Sequence, residues 1–485
     1  MKRTSILIAL ICFLTFDANA FCGFYVAKAG SDLFNDKSQV ILVRDGKRTT
    51  VTMSNDFKGN VKDFAMVVPV PTVLKQKDIK VVKRNLFDKI DAYSAPRMSE
   101  YYDRIPCMGD AIEMYSTTTS LEAVQISQVR GLRANKSARK YKVKIEAQYS
   151  VEEYDVIVLS AKESNGLKRW LIDNGYKIPE EAESVLEPYI KNQMKFFVVK
   201  VNLNKMPKSE QGYLRPLQIS YESDRFMLPI RLGMANSSGE QDMIVYAFTK
   251  KGRIECTNYR TVKLPTDRNI PSFVKSKNEF GDFYVDLFEK AYDNESKKAV
   301  FLEYAWDVSP KSNRVKCDPC VSPPPVEQQF ADAGIWWSAN QNGSSNVFFT
   351  RLHVRYSRDN FPQDLFFQVT PNREQYQCRY YIYNAPGKGD YSCEEGQKYI
   401  KKLHNRRQKE VDELAALCGW QDPSYEKYIQ EYDHHREQSK DENEERKIVF
   451  PVWPDFPGKL PLSLLIGTMI CVAGIGWRLK PTVQY

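Results

Sequence analysis

VILVRDGKRTTVTM, residues 40–53, decides the fold class. Val40 to Arg44 and Thr49 to Met53 are β-rich runs, and Asp45-Gly46 between them is a hairpin turn signal, so the body opens as antiparallel strands. Phe64 to Val70 is apolar but interrupted by Pro69 and followed by Pro71. Proline cannot donate to a sheet ladder, which predicts an edge strand or an extended exit from the sheet. Further strands are expected at 142–147, where Val143, Ile145 and Ala147 alternate with charges, and at 154–160, 194–201, 226–232, 243–249, 257–264, 299–306, 347–356 and 365–369. A helix is expected at 161–174, closed by Gly175, and a second from Pro179 with Ala182, Val185, Leu186 and Ile190 inward. Two more are expected at 280–292 and 397–418, the last with a stripe of Leu403, Val411, Leu414, Ala415 and Leu417. Tyr376 to Tyr391 reads as a tyrosine-dense hairpin around Pro386-Gly387-Lys388-Gly389, its rings packed on a half-buried sheet or free to stack on sugars. Helices and strands without strict alternation indicate a β-rich α+β ectodomain.

Composition agrees. The 485 residues are 42% hydrophobic and 27% charged, which excludes disordered, collagenous and multi-span membrane classes. The net charge is +9, but a third of the excess comes from the ends, through Lys2 and Arg3 offset by Asp17, and through Arg478 and Lys480. The remainder is too weak to imply nucleic acid. Seven basic residues without an acid (Arg130, Arg133, Lys136, Arg139, Lys140, Lys142 and Lys144) form either a patch for anionic lipid or polysaccharide or a solvated loop running into a strand.

The termini carry the topology. Residues 1–20 combine a basic start, an apolar stretch from Ile6 to Phe16 and the A-x-A site Ala18-Asn19-Ala20, the pattern of a signal peptide cleaved after Ala20. Leu460 to Trp477 is uncharged and, at about 1.5 Å per residue, reaches roughly 27 Å, close to a hydrocarbon core of about 30 Å. Phe450, Trp453, Phe456 and Trp477 bracket it as interfacial aromatics, and Arg478 and Lys480 follow it. The expected layout is a signal peptide at 1–20, a main α+β domain at 21–310 and a Cys/Tyr-rich second subdomain at 311–432. A charged and Pro-rich stalk at 433–459, a transmembrane helix at 460–477 and a short cytoplasmic tail at 478–485 complete it. This places the ectodomain outside the cell membrane.

Ten cysteines are present; Cys12 falls in the leader and Cys471 in the span. Cys22, Cys107, Cys256, Cys317, Cys320, Cys378, Cys393 and Cys418 remain as disulfide candidates, with connectivity open. Cys317-Asp318-Pro319-Cys320 resembles a redox pair, but Pro323-Pro324-Pro325 follows too closely for the helix that such chemistry uses, which favours a structural bridge.

Catalytic motifs are missing: there is no phosphate-binding glycine loop, no G-x-S-x-G and no H-E-x-x-H. Of the four histidines only His353 falls in an expected strand, as a half-buried residue or, less favoured, a catalytic base. Catalytic residues stay unknown and no metal or cofactor is expected. Asp91, Tyr93, Arg97 and Glu100, in the dense DAYSAPRMSE block at 91–100, are ligand-site candidates; the competing reading is a turn fixed by Pro96 with Arg97 in a structural salt bridge.

FCGFYV at 21–26, VILVRDGKRTTVTMSNDFKG at 40–59, DFAMVVPVPTVL at 63–74 and DAYSAPRMSEYYD at 91–103 are joined by LSAKESNGLKRWLIDNGYKIP at 159–179. MLPIRLGMANSSGEQDMIVYAFTKKGRIECTNYRTVKLP at 227–265, VFLEYAWDV at 300–308, RLHVRYSRDNFPQDLFFQ at 351–368 and LAALCGW at 414–420 complete the set. From about 21 to 422 the chain resembles the bacterial DUF2330 family of exported proteins, a resemblance that brings no activity, ligand or active site with it. Where the family pattern reads F-Q-G-R-Y and L-T-G-W, this chain has Cys378 in QYQCRYY and Cys418 in LAALCGW, so the resemblance implies an additional Cys378–Cys418 pair. The reading that follows is a non-catalytic envelope protein that binds a surface component or partner protein, with an extracytoplasmic hydrolase of envelope polymer as the alternative.

Overall fold

The hairpin forms as the turn chemistry demands. Strands β2 (Ser38–Asp45) and β3 (Arg48–Asn55) pair in register from Ser38↔Asn55 to Asp45↔Arg48, and Gly46 takes a φ of +57° that a side chain would resist. This computed structural model describes residues 24–25, 38–55, 65–107, 141–176, 182–205, 214–234, 239–309, 323–338, 346–387 and 391–435. The expected leader, the basic run at 130–140, Cys22, Cys317, Cys320, the stalk from 436 on and the expected span at 460–477 lie outside them. Among the described residues no helix is long and apolar enough to cross a membrane. The chain divides into two units, Met1–Tyr432 and Asp433–Tyr485, and all elements below belong to the first.

The hairpin is the middle of a nine-stranded sheet in the order β14 (Arg260–Lys263), β16 (Ala299–Asp307), β17 (Phe348–Tyr356), β12 (Gln241–Thr249), β2, β3, β10 (Leu217–Glu222) and β5 (Ile79–Val81), with β19 (Tyr376–Gln377) beside β16. Strand β17 pairs with β12 on one side and β16 on the other, so the residues expected as a second subdomain supply a central strand of the main sheet. A five-stranded sheet, β1 (Phe24–Tyr25), β4 (Ala65–Val70), β9 (Lys195–Val201), β8 (Tyr154–Ala161) and β7 (Val143–Val151), faces it. Val40, Leu42, Val245 and Leu352 from the large sheet and Met66, Val68, Val158 and Val199 from the smaller one form one buried cluster between them.

Each sheet is covered on its other face by helices. α2 (Ser164–Asp173) and α3 (Ala182–Lys191) bury Trp170, Leu171 and Leu186 on the five-stranded sheet. α1 (Asn85–Ser94) and α6 (Glu327–Asp332) cover the large sheet through Phe87, Ile90 and Phe330. α5 (Glu279–Asn294) and the long α7 (Glu394–Cys418) cover its β14–β16 end through Phe283, Leu287, Phe288, Leu414 and Leu417. α8 (Tyr425–Gln430) follows α7. The architecture is mixed α+β and strand-rich.

Four local expectations need correction. Residues 226–232 form only the short strand β11 (Met227–Leu228) before Pro229 ends it and α4 (Arg231–Met234) begins. Residues 257–264 form only the four-residue strand β14, because β13 (Ile254–Cys256) has already ended before residue 257 and β14 starts at Arg260. Strand β4 is flanked by β9 along its length and by β1 only at Met66 and Val67, so Pro69 falls where the described β1 no longer needs its N–H. The tyrosine segment is not a hairpin. β20 (Arg379–Asn384) lies between β15 (Arg268–Asn269) and β6 (Arg97–Tyr102) and runs parallel to both, while β18 (Leu365–Val369) bridges β11 and β13.

Candidate functional site

On β17 the even residues Phe348, Leu352 and Val354 enter the inter-sheet core. Strand alternation therefore sends Arg351, His353 and Arg355 to the opposite face, under α1 and α5. Three cationic side chains in a row on a buried face demand partners, and neighbouring strands supply them. Asp242 of β12 is opposite Arg355 in register, and its carboxylate accepts a two-pronged contact, Nε to Oδ1 at 3.0 Å and Nη2 to Oδ2 at 3.1 Å. Glu303 of β16 is placed by a register shift between Leu302 and Tyr304, an irregularity that turns both Glu303 and Tyr304 toward this face.

The result is a continuous ionic chain. Arg351 reaches Glu303 through Nε, and Asp91 of α1 through Nη1 at 2.7 Å. His353 Nδ1 is 2.9 Å from Glu303 Oε1, and its Nε2 is 3.0 Å from Asp242 Oδ1. Tyr246 donates to Asp91 at 2.5 Å, and Tyr284 of α5 donates to Glu303. Glu303 and Arg351 are 1% and 3% exposed, whereas the terminal carboxylates Asp91 and Asp242 keep about a third of their side chains in solvent, at 34% and 33%.

The electrostatics follow from the pairing. Burial alone would raise Glu303, but the Arg351 and His353 charges hold its carboxyl well below the usual range. Burial would also raise Asp242, and His353 and Arg355 likewise bring it far down. Burial would lower His353; the facing Glu303 and Asp242 carboxylates reverse this and raise it. A carboxylate oxygen at each ring nitrogen thus favours the protonated form of this histidine. Among the described residues, no three His, Cys, Asp or Glu side chains are grouped to hold a metal ion.

The candidates at 91–100 are separated by this architecture. Asp91 joins the ionic chain, whereas Tyr93 and Arg97 are each 5% exposed. Tyr93 packs edge-on to Tyr304, and Arg97 donates to the carbonyls of Tyr93 and Ala95 at the end of α1. Glu100 lies further along β6 and pairs with Lys275 at 2.5 Å. The tyrosine rings of the small parallel sheet pack on one another, Tyr101 lying 5.3 Å from Tyr383 and 5.9 Å from Tyr381. Arg406 covers Tyr383 and Arg379 covers Tyr381, so these ring faces are occupied from within the fold. A cleft of about 220 Å³ between Pro69, Pro71, Met194, Tyr221, Arg225 and Met227 lies away from the ionic chain and is smaller than typical ligand pockets of about 300–1,000 Å³.

Among the cysteines, Cys107 and Cys393 form a disulfide that joins the stretch after β6 to the N-cap of α7. Cys256, Cys378 and Cys418 are free thiols, which overturns the Cys378–Cys418 pairing implied by the resemblance. Both thiols are committed elsewhere: Cys378 lies against the Tyr380 hydroxyl at 3.3 Å, and Cys418 donates to the Leu414 carbonyl at 3.2 Å. Sequence reading had singled out His353 but not Asp242, Glu303, Arg351 or Arg355. The available signal was R-L-H-V-R at 351–355, cations on alternate positions of an otherwise apolar strand.

No curated protein sequence and no solved structure matches the chain. The family model described as "Uncharacterized protein conserved in bacteria (DUF2330)" matches residues 16–368, a range that includes α1, the bulge of β16 and every member of the ionic chain. By that match over most of its length, the chain belongs to the DUF2330 family.

Proposed function

We propose that this chain is an exported, non-catalytic binding or structural component of the bacterial cell envelope. In this reading residues 1–20 are removed, the α+β unit stands outside the membrane, and 460–477 anchors it through the stalk at 433–459. The observation that carries the reading is Cys107–Cys393, a bridge between residues 286 apart in sequence. Such bonds persist in oxidising compartments and are rare where thiols are kept reduced. The non-catalytic part is supported by the ionic chain, in which each carboxylate faces a cation or a hydroxyl of the fold itself. The hydrolase reading draws on the same convergence of Asp91, Asp242, Glu303 and His353, but the bridging contacts commit these groups to one another. Cell fractionation tests the proposal: the full-length product should begin at Phe21, pellet with membranes and be digested by protease added outside spheroplasts. A variant ending at Gly458 should lose the membrane association. Recovery of unprocessed protein in the cytosolic fraction would refute the proposal.

A further inference from the structure

His353 is the member of the ionic chain whose ordinary titration falls nearest to neutral pH. Its two ring nitrogens both face carboxylate oxygens, Glu303 Oε1 at 2.9 Å and Asp242 Oδ1 at 3.0 Å. A neutral imidazole has one donor and one acceptor, so in that form a nitrogen lone pair would confront a carboxylate. Only the imidazolium satisfies both sides. The charges also balance in that state, with Arg351, His353 and Arg355 set against Asp91, Glu303 and Asp242. Loss of the proton leaves an excess of buried negative charge.

Helix α5 is what closes over this group. The Phe288 ring stacks on the imidazole at 3.9 Å between centroids, an arrangement that favours a cationic ring. Tyr284, one turn earlier, donates to the same Glu303 carboxylate. Arg355 lies over Phe288 and Tyr292 at 5.1 and 5.8 Å, the Tyr292 hydroxyl reaches Glu240 at 3.3 Å, and Glu289 adds a further negative charge sensed by Arg355. From the α1 side, the groups coupled to the chain are Asp91 and, on β12, Tyr246. α5 in turn holds α7, through Lys290 to the Ala415 carbonyl at 3.0 Å and Trp420 to Asp286 at 2.6 Å.

We infer that the Asp242–His353–Glu303 clamp is a pH-sensitive latch, fastening α5 to the large sheet while the imidazole is protonated and loosening it when the proton is lost. The direction is fixed by the neighbours. Burial by itself would lower the histidine, but the two carboxylates raise it above its ordinary value. The latch is therefore fully closed below about pH 6.5 and weakens as pH rises through the raised value.

Hydrogen exchange of the full-length protein between pH 6 and 9.5, corrected for the intrinsic base catalysis of exchange, tests this. Peptides within 279–294 should open at least tenfold more at the alkaline end, while peptides of the 38–55 hairpin should not change. In His353→Gln, whose amide offers one NH2 group as donor and one carbonyl oxygen as acceptor and does not titrate, α5 opening should be independent of pH. An α5 that tracks the hairpin throughout, or an unchanged pH profile in His353→Gln, overturns the latch. Should that variant fail to fold, the wild-type imidazole decides the matter, since the chain has only four histidines to resolve by isotope labelling. The midpoint of His353 titration must coincide with α5 opening, and titration without opening refutes the inference.

Discussion

Glu303 Oε1 meets His353 Nδ1 at 2.9 Å because β16 slips register between Leu302 and Tyr304. In a regular strand Glu303 and Tyr304 would point to opposite faces. The irregularity lets Tyr304 pack against Tyr93 and Phe349 while Glu303 receives Arg351, His353 and Tyr284. One backbone feature thus joins the α1-covered half of the large sheet to the α5-covered half.

Glu303→Gln should be strongly destabilising. It keeps the shape but leaves Arg351 and His353 buried opposite a neutral amide, and breaking a buried ion pair from one side costs about 3–5 kcal/mol. Urea unfolding of the variant against wild type measures this; a loss below about 1 kcal/mol would show that the network is slack.

Acid should act through the same carboxylates. Glu303 and Asp242 are both held well below the ordinary carboxylate range, after burial is outweighed by their cationic neighbours. Their contribution is complete above about pH 5 and is lost as pH falls below the unfolded value of about 4 towards the depressed one. Asp242→Asn should flatten the fall in stability between pH 5 and 2.5, as followed by thermal unfolding.

Asp364 behaves oppositely. Burial pushes its carboxyl up, in spite of hydrogen bonds from Tyr189 and from the backbone N–H groups of Ile230 and Arg231, all to Oδ1. An amide oxygen can accept the same three bonds without a buried charge. Asp364→Asn should therefore match or exceed wild-type stability at pH 8, and the advantage should shrink as pH falls through the raised value. A variant that loses stability evenly at all pH values would contradict this.

Gly334→Ala should cost about 2–4 kcal/mol. Its φ is +89°, and an added Cβ would come within 2.7 Å of Thr50 Cγ2, so strain of about 1–3 kcal/mol is joined by a clash. Gly46→Ala, with φ of +57° and nothing within 4 Å, isolates the backbone contribution at about 1 kcal/mol. Thermal unfolding of the pair reports the difference.

What the sequence disclosed was local. Asp45-Gly46 placed the first hairpin because a two-residue turn leaves little freedom, and Gly175 marked the end of α2 with a φ of +84°. The stripe of α7 was read because Leu403, Leu414 and Leu417 recur at helical spacing. Helix α1 was missed although Leu86, Phe87, Ile90 and Tyr93 share a buried face, because Pro96 just beyond it suggested a turn; the helix ends at Ser94, with Ala95 as its extended C-cap before the proline. The pairing of β20 with β6 is set by contacts far apart in sequence and has no local signature. The ionic chain was hidden for the same reason: Arg351 and His353 alternate visibly, but the irregularity that delivers Glu303 to them belongs to the sheet and not to either segment.

The most direct test of the account is disulfide mapping of protein alkylated in intact cells and digested without reduction. It predicts a Cys107–Cys393 linked peptide, with Cys256, Cys378 and Cys418 recovered as thiols. The last two should be labelled only after unfolding, since burial raises Cys378 to about 12 and Cys418 to about 11. Quantitative alkylation of Cys107 and Cys393 in the folded protein would contradict both the fold at the start of α7 and the oxidising location proposed for it.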